Sequence, residues 1–250
     1  MRKVFITGGA SGIGEACVTA FTNAGHQVAF VDINETSGKA VAERTGATFF
    51  AADLTAPGQA TAVTLEAIAA LDGLDVLVPN AGVQFMSAIK DFPEDTWRDL
   101  LELLLTAPFI LTKAAWDALV ASGSGRIVHI GSAHSLAASP FKSAYVAAKH
   151  GLAGLAKVTA QEGGEHGITC NVVAPAYVKT PLVVKQLEAQ AETRGISVEE
   201  VETKVFLAGA AIKRMLEPSD VADFVMYLAR EESWAMTGTV YPIDTGWLAG

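Results

Sequence analysis

The sequence is poor in cysteine and in positive charge. Only two of its 250 residues are cysteines, Cys17 and Cys170, and their spacing fits neither a metal site nor a redox motif. We therefore expect two buried thiols in a reducing compartment, and no metal site. Lys and Arg total 18 against 27 Asp and Glu, so the net charge is −9. That balance argues against nucleic acid as a partner.

Two further absences concern targeting and membranes. The N-terminus runs directly into an apolar stretch, Lys3 to Thr7, with no signal-peptide pattern. We expect no apolar run long enough to span a membrane, because Glu102 interrupts the leucine-rich stretch from Leu100 to Leu105. Together with the cysteine usage, these features predict a cytoplasmic protein that does not bind membranes.

Short apolar runs alternate with helical stretches along the chain. This alternation predicts a Rossmann-like, doubly wound α/β domain with a seven-stranded parallel sheet over residues 1–250. The stretch between Pro181 and Pro218 predicts one or two inserted helices, a small helical substrate lid near residues 182–217. We predict strands at 4–7, 27–32, 48–51, 76–80, 126–131, 169–173 and 240–243, and helices near 12–24, 35–44, 59–71, 94–121, 144–165 and 219–229.

A glycine-rich turn follows the first predicted strand. Its spacing is G-x-x-x-G-x-G, from Gly8 to Gly14, and a helix follows at once. Glycines let the backbone approach a pyrophosphate, and a helix N-terminus favours its charge. An ordinary tight turn is the alternative interpretation. The residues predicted to bind a dinucleotide here are Gly8, Ser11, Gly12, Ile13 and Gly14.

Polar and small residues follow the next three strands. Asp32 can accept hydrogen bonds from both adenosine ribose hydroxyls, and it would repel a 2′-phosphate. No Arg or Lys follows it closely, so the sequence predicts NAD rather than NADP. Asp53, beside Leu54, either meets the adenine edge or caps a turn. Asn80, Ala81 and Gly82 lie where a dinucleotide would cross the sheet.

Tyr145 and Lys149 are four residues apart in a predicted helix. Residues at this spacing share a helix face, and a nearby cation lowers the pKa of a phenol. Moving that pKa from about 10 to about 7 takes roughly 4 kcal/mol. The spacing alone is more typical of a solvated helix face, so other motifs must support a catalytic role.

Together with Ser132 and the segment Pro175 to Thr180, these motifs resemble the short-chain dehydrogenase/reductase family over nearly the whole chain. The resemblance implies that Tyr145 exchanges a proton with a substrate hydroxyl and that Ser132 orients the substrate oxygen. Lys149 would hold the nicotinamide ribose and lower the tyrosine pKa. It also implies cofactor contacts from Pro175, Val178 and Thr180. The two long predicted helices resemble the family's dimer surfaces, which implies a homotetramer.

The stretch from Ser132 to Tyr145, with Gly246 and Trp247, resembles a subfamily of dehydrogenases that act on 3-hydroxybutyrate. This implies reversible oxidation of (R)-3-hydroxybutyrate to acetoacetate with NAD. The alternative substrate is another small ketone or secondary alcohol, 3-oxoacyl or cyclic. Lys142, Gln186 and Trp247 could equally be a surface lysine, a solvated helix position and a C-terminal anchor. The residues implied to grip the hydroxy acid, besides Ser132 and Tyr145, are Gln84, His134, Lys142, Gln186 and Trp247.

Leu104 departs from the family pattern. Most members carry at this position an Asn that holds a water linking the lysine to solvent. Leucine cannot bind water, and as the better helix former it predicts a straighter helix. Leu104 leaves three interpretations. The chain is a working enzyme whose proton relay uses another route, a weakened or engineered variant, or a non-catalytic NAD-binding protein. Restoring the amide with Leu104→Asn is expected to raise turnover. Ala176 and Thr245 also depart, each where glycine is usual.

Overall fold

A parallel seven-stranded sheet organises the computed structural model, which describes residues 1–249. Its strand order is β3-β2-β1-β4-β5-β6-β7, so the direction of winding reverses between β1 and β4. Ligands of such sheets bind at the carboxyl ends of the strands near this reversal. The predicted fold class is confirmed. The strands are β1 Lys3–Thr7, β2 Gln27–Asp32, β3 Thr48–Ala51, β4 Val76–Val78, β5 Arg126–Ile130, β6 Thr169–Pro175 and β7 Val240–Ile243.

Helices cover both faces of the sheet, which explains why most strands read as continuous apolar runs. One face packs Phe21 of α1 and Val225 of α9 against β1 and β2. The other packs residues of α3, α5 and α6. Cys17 and Cys170 are free, buried thiols, as expected. The helices are α1 Gly12–Asn23, α2 Glu35–Thr45, α3 Gln59–Leu71, α4 Glu94–Leu101, α5 Ala107–Ala121, α6 Ser143–Gly163, α7 Pro181–Arg194, α8 Val198–Val201 and α9 Pro218–Leu228.

A π-helical segment, Glu102–Thr106, joins α4 to α5. The expectation of a straighter helix at Leu104 is therefore wrong: the Ala107 N–H donates to the Glu102 carbonyl, five residues back. Single-turn π segments of this kind are frequent at functional sites. The extra residue turns Leu104 inward, where its side chain is 1 % exposed.

The continuous helix Glu94–Ala121 has 28 residues and is long and apolar enough, by length and composition alone, to cross a membrane. The expectation that no run would reach this length is thus corrected. Core helices of soluble proteins pass the same test. Here the inner side of α5, including Leu111 and Leu119, is buried against the sheet.

The insertion between β6 and β7 forms α7, α8 and a second π segment, Glu202–Phe206. Its own apolar cluster includes Leu187, Phe206 and Met215. The Tyr177 ring stacks on Phe206 at 4.4 Å between centroids, which ties the insertion to the end of β6. The one or two helices predicted for this stretch are confirmed.

His129 of β5 is a buried titratable side chain in the core. It is fully buried, and neither ring nitrogen has a hydrogen-bond partner among the described residues. Burial, reinforced by the charge of Lys149, lowers its pKa to about 3. The imidazole is therefore neutral in the folded protein at physiological pH.

We predict that His129 makes the folded state acid-sensitive. The unfolded chain takes up a proton near the ordinary pKa of about 6.5, while the folded chain does so only near 3. The stabilisation is thus complete above pH 6.5 and is lost as the pH falls, by about 2 kcal/mol between pH 7 and 4.5. Urea unfolding of His129→Leu should show a correspondingly shallower loss of unfolding free energy. Identical pH slopes for the variant and the wild type would contradict this.

Candidate active site

A cleft of about 580 Å³ opens at the carboxyl ends of the strands, around the reversal between β1 and β4. Every residue predicted to bind the cofactor lines it, with the exception of Gly14. Other lining residues were not predicted to bind the cofactor, because their side chains are mostly apolar or small; of these, Leu104 and Ala176 were singled out only as departures from the family pattern. Those additional residues are Val31, Ile33, Ala52, Thr55, Val83, Leu103, Leu104, Ile130, Gly131, Ala176, Pro181, Leu182 and Val183.

The backbone of the glycine-rich turn packs so closely at Gly8 and Gly14 that neither position can accommodate a side chain. Gly8 has a φ of +67°, and a Cβ there would lie 2.8 Å from the Ala81 Cα. A Cβ on Gly14, in the first turn of α1, would lie 2.0 Å from the Gly8 carbonyl oxygen. Gly14 therefore acts from behind the cleft, by letting α1 approach the loop. The result is an open cradle of backbone at a helix N-terminus, which suits a pyrophosphate.

Asn80 fastens this loop to the end of β4. Its side-chain amide donates to the carbonyl oxygens of Thr7, at 2.9 Å, and Gly8, at 3.1 Å. In return, the Thr7 hydroxyl accepts from the N–H groups of Asn80 and Ala81, both at 3.0 Å. The motif Asn80 to Gly82 thus has a structural function beside any contact with a ligand.

The two aspartates predicted to meet the adenosine half differ in their hydrogen bonds. Asp32 accepts from the N–H groups of Ala10, at 3.0 Å, and Asn34, at 2.9 Å, and faces the cleft. Asp53 accepts from the N–H of Thr55 at 2.9 Å and from its hydroxyl at 2.7 Å. These bonds from Thr55 lower the pKa of Asp53. Asp53 therefore caps a turn and also lines the cleft, while its contact with the adenine edge stays a prediction.

The segment after β6 closes the cleft from the side of the insertion. Val178 pairs with Leu216 in an isolated bridge, and Thr180 accepts from the Val183 N–H at 3.4 Å as the N-cap of α7. The methyl group of Thr180 would lie 3.0 Å from a Cβ on Gly12. The N-cap residue of α7 thus lies directly against the glycine-rich turn.

Lys149 and Tyr145 meet on the floor of the cleft. The Lys149 amine donates to the Ile130 carbonyl at 2.7 Å and lies 5.7 Å from the centroid of the Tyr145 ring. Burial lowers the pKa of Lys149 to about 8. Burial also raises the pKa of Tyr145, against an opposing hydrogen bond with Ser132. For the protein alone, desolvation thus outweighs the effect of Ser132 on the phenol, and the expected lowering of the tyrosine pKa by Lys149 stays a prediction.

Ser132 starts a chain of polar contacts that leads away from the cleft. It is the N-cap of a short 3₁₀ turn, Ala133–Ser135. Its Oγ lies 3.2 Å from Nδ1 of His134, and Nε2 of His134 lies 2.9 Å from Oγ of Ser139. Burial, with smaller effects from Lys142 and His150, lowers the pKa of His134 to about 4, so the ring is neutral. Ser139 was not predicted, because a loop serine carries no motif.

The five residues predicted to grip a hydroxy acid do not line the cleft itself, but lie in two groups beside its floor. The His134 ring lies 5.9 Å from the Tyr145 ring and 5.8 Å from the Trp247 ring. Gln186 of α7 donates to Gln84 at 2.9 Å. Lys142 is 8 % exposed, and burial lowers its pKa.

The turn before Trp247 contains Thr245, at a position where glycine is usual in the family. Thr245 has a φ of +56°, in the left-handed region that glycine adopts without strain and a β-branched residue does not. Beyond it, Trp247 packs against Gly209 of the insertion, with its indole 3.2 Å from where a Cβ would lie. Trp247 thus contacts both the insertion and His134.

Leu104 fills the space between the π segment and α6. It packs with Leu100, Ala144 and Ala148, against Tyr145, and its Cδ2 would lie 2.9 Å from a Cβ on Gly82. This is apolar packing, so Leu104 offers neither Tyr145 nor Lys149 a hydrogen bond. Among residues 1–249, no three His, Cys, Asp or Glu side chains come together as metal ligands would.

Comparisons with known proteins agree with this geometry. A family model described as "short chain dehydrogenase" matches residues 2–191. A protein of Rhizobium meliloti (strain 1021) named "D-beta-hydroxybutyrate dehydrogenase" is 41% identical, over 99% of each chain. A protein of Cupriavidus necator with the same name is 33% identical, over 99% of this chain and 98% of its own. The crystal structure of the TT0495 protein from Thermus thermophilus has a TM-score of 0.89 and 30% identity, and covers 100% of this chain and 99% of that one.

We predict that Gly14→Ala damages the cradle, whereas Gly154→Ala does not. Both glycines are helical, but a Cβ on Gly154 meets nothing within 4 Å. Overpacking should cost Gly14→Ala about 1–3 kcal/mol of unfolding free energy, while Gly154→Ala should gain up to about 1 kcal/mol. Thermal unfolding and calorimetric titration with NAD measure both effects. Equal stability and equal NAD affinity of the two variants would contradict the packing argument.

Proposed function

The chain belongs to the short-chain dehydrogenase family, and on that premise we propose that this oxidoreductase interconverts (R)-3-hydroxybutyrate and acetoacetate with NAD. The observation that carries the choice of substrate is Lys142. Its side chain is largely buried, and no carboxylate among residues 1–249 pairs with its ammonium. Buried charges are normally paired, so this lysine calls for an anionic ligand next to Tyr145. The names of the two relatives support a short hydroxy acid.

Dehydrogenases of this family use a nicotinamide cofactor, and the cleft fits a dinucleotide. The open backbone of Gly8 and Gly12 leaves room for a pyrophosphate, and Asp32 would accept from the adenosine ribose hydroxyls. Its carboxylate also disfavours the 2′-phosphate of NADP, which supports NAD. When bound, the cofactor supplies the hydride acceptor.

Tyr145 is the proposed general base for the substrate hydroxyl, and Ser132 orients the same oxygen. Their hydrogen bond already opposes the effect of burial on the phenol. The lysine amine, fixed by the Ile130 carbonyl, stays in reach of the nicotinamide ribose. Because burial raises the tyrosine pKa, we infer that the phenolate becomes accessible only when further positive charge enters the cleft.

The substrate carboxylate is the proposed partner of Lys142, with amide donors from the paired Gln84 and Gln186. Trp247 supplies an apolar wall beside His134. Since Gln186 belongs to α7, binding would draw the insertion near 182–217 over the substrate, as a lid. The wall and the amide pair together would favour a short, unbranched acid.

The proposed assembly is a cytoplasmic homotetramer built on the outward faces of the two long helices. Trp97 of α4, Phe109 of α5 and Val158 of α6 are exposed apolar side chains on these helices. Exposed apolar side chains indicate subunit contacts where they form a contiguous patch. Nothing in this assembly involves a membrane or nucleic acid.

The competing function is reduction of another small ketone, 3-oxoacyl or cyclic, or oxidation of a secondary alcohol, and NAD binding without turnover is the second alternative. A neutral substrate would leave Lys142 without a function. NAD binding without turnover is suggested by Leu104, which replaces the family Asn. An NAD-reduction assay distinguishes them, with both enantiomers of 3-hydroxybutyrate, longer 3-hydroxy acids and neutral secondary alcohols. We expect (R)-3-hydroxybutyrate to be oxidised fastest. Activity on the neutral alcohols only would overturn the assignment.

Lys142→Met keeps the aliphatic stem and removes the charge. We expect the KM for 3-hydroxybutyrate to rise by roughly tenfold to a hundredfold, because a charge-assisted hydrogen bond is lost. The KM for a neutral alcohol should barely change, and Gln84→Ala should show the same contrast. Lys157→Met, at an exposed position of α6, the helix that follows Lys142, is the matched control and should leave both values unchanged. An equal rise for acid and alcohol would refute the carboxylate contact.

A further inference from the structure

Tyr145 must pass the proton that it accepts on to solvent. Leu104 prevents a water-mediated route between the π segment and α6. The space between the π segment and α6 is filled by leucine and alanine side chains, which cannot hold a hydrogen-bonded water. Lys149 is 5 % exposed, and its amine donates to a strand carbonyl. The floor of the cleft is therefore sealed on the side of α4 and α5.

A continuous line of hydrogen-bonding groups runs from Tyr145 in the other direction. Ser132 lines the cleft together with Tyr145 and lowers the pKa of its phenol, and the Ser132 Oγ lies 3.2 Å from His134 Nδ1. His134 Nε2 lies 2.9 Å from the Ser139 Oγ. Ser139 is in an exposed loop and is itself only half-buried, whereas His134 is 7 % exposed. The line therefore starts at the reacting phenol and ends at solvent.

We infer that Ser132, His134 and Ser139 conduct the proton from Tyr145 to solvent, on the premise of the dehydrogenase function proposed above. In the oxidative direction, the substrate O–H bond breaks and a new O–H bond forms on Tyr145. The phenol proton then moves to Ser132, the Ser132 proton to His134 Nδ1, the Nε2 proton to Ser139, and the Ser139 proton to water. Each group gives one proton for each that it receives, so the net product is one proton in solvent. The hydride leaves with its electron pair to the nicotinamide cofactor.

A neutral imidazole can do this, because one ring nitrogen accepts while the other donates. The groups around His134 favour that neutral form: burial acts first, and Lys142 and His150 add to it. Contacts with the Tyr145 and Trp247 rings hold the imidazole in its orientation. In this geometry each ring nitrogen of His134 lies within hydrogen-bond distance of a serine hydroxyl. Ser139 is thus a positioning residue that acts through His134.

The test compares Ser139→Ala with Ser143→Ala. Ser143 is four residues along, and its buried hydroxyl has no hydrogen-bond partner among the described residues. The assay uses 3-hydroxybutyrate or whichever secondary alcohol the panel identifies, so a wrong substrate does not affect it. We expect Ser139→Ala to lower kcat by roughly three- to tenfold, toward the lower range of acid–base effects, and to increase the solvent isotope effect on kcat. KM should be unchanged, Ser139→Thr should restore kcat, and Ser143→Ala should behave as wild type.

The same comparison made in the Leu104→Asn variant separates the two possible proton routes, one past residue 104 and one through Ser139. In Leu104→Asn, an amide can hold water beside Lys149, so the loss caused by Ser139→Ala should shrink. An equal loss in both backgrounds would overturn the inference, as would a change in KM with kcat and the isotope effect unmoved.

Nitrogen NMR of His134 in the protein without cofactor gives a readout that needs no turnover. We expect one protonated and one unprotonated ring nitrogen from pH 5.5 to 9, and a shift of the Nε2 signal in Ser139→Ala. A doubly protonated ring at pH 6.5, or an Nε2 signal unmoved by Ser139→Ala, would overturn the inference.

Discussion

The burial of the Lys149 ammonium against the end of β5 is the constraint on which the site depends. A charge removed from water is costly, and here one strand carbonyl, that of Ile130, is its hydrogen-bond acceptor. The same burial that lowers the lysine pKa to about 8 raises the tyrosine pKa. Both groups are thus held nearer to their neutral forms than they would be in water.

This constraint explains the arrangement around it. A dry floor strengthens every electrostatic interaction made there, but it also obstructs the movement of protons. Leu104 and the alanines of α6 seal one side, while Ser132 and His134 leave a polar line on the other. The buried, neutral His129 of β5 adds no charge that would compete with Lys149. The site combines a sealed apolar side with one narrow polar outlet.

Much of the fold and of the cofactor cleft could be predicted, because the signals are local. Alternating strands and helices, the turn from Gly8 to Gly14 and Asp32 at the end of β2 each depend on short stretches of sequence. The direction of the Tyr145 pKa could not be predicted, since it depends on tertiary burial rather than on spacing. The π segment could not either: Glu-Leu-Leu-Leu-Thr reads as an ideal α-helix. The contact between His134 and Ser139 depends on the shape of a loop, which no residue pattern specifies.

The most direct test of this account is the pKa of the Tyr145 phenol, measured with and without oxidised NAD. Ultraviolet difference titration of the wild type, with Tyr145→Phe subtracted, isolates this phenol from the other three tyrosines, since the chain has four. We predict a pKa above the ordinary value of about 10 for the protein alone, and a clearly lower pKa once the positively charged nicotinamide ring is bound. A phenol already ionised near neutral pH without cofactor, or a titration that NAD leaves unmoved, would contradict the account.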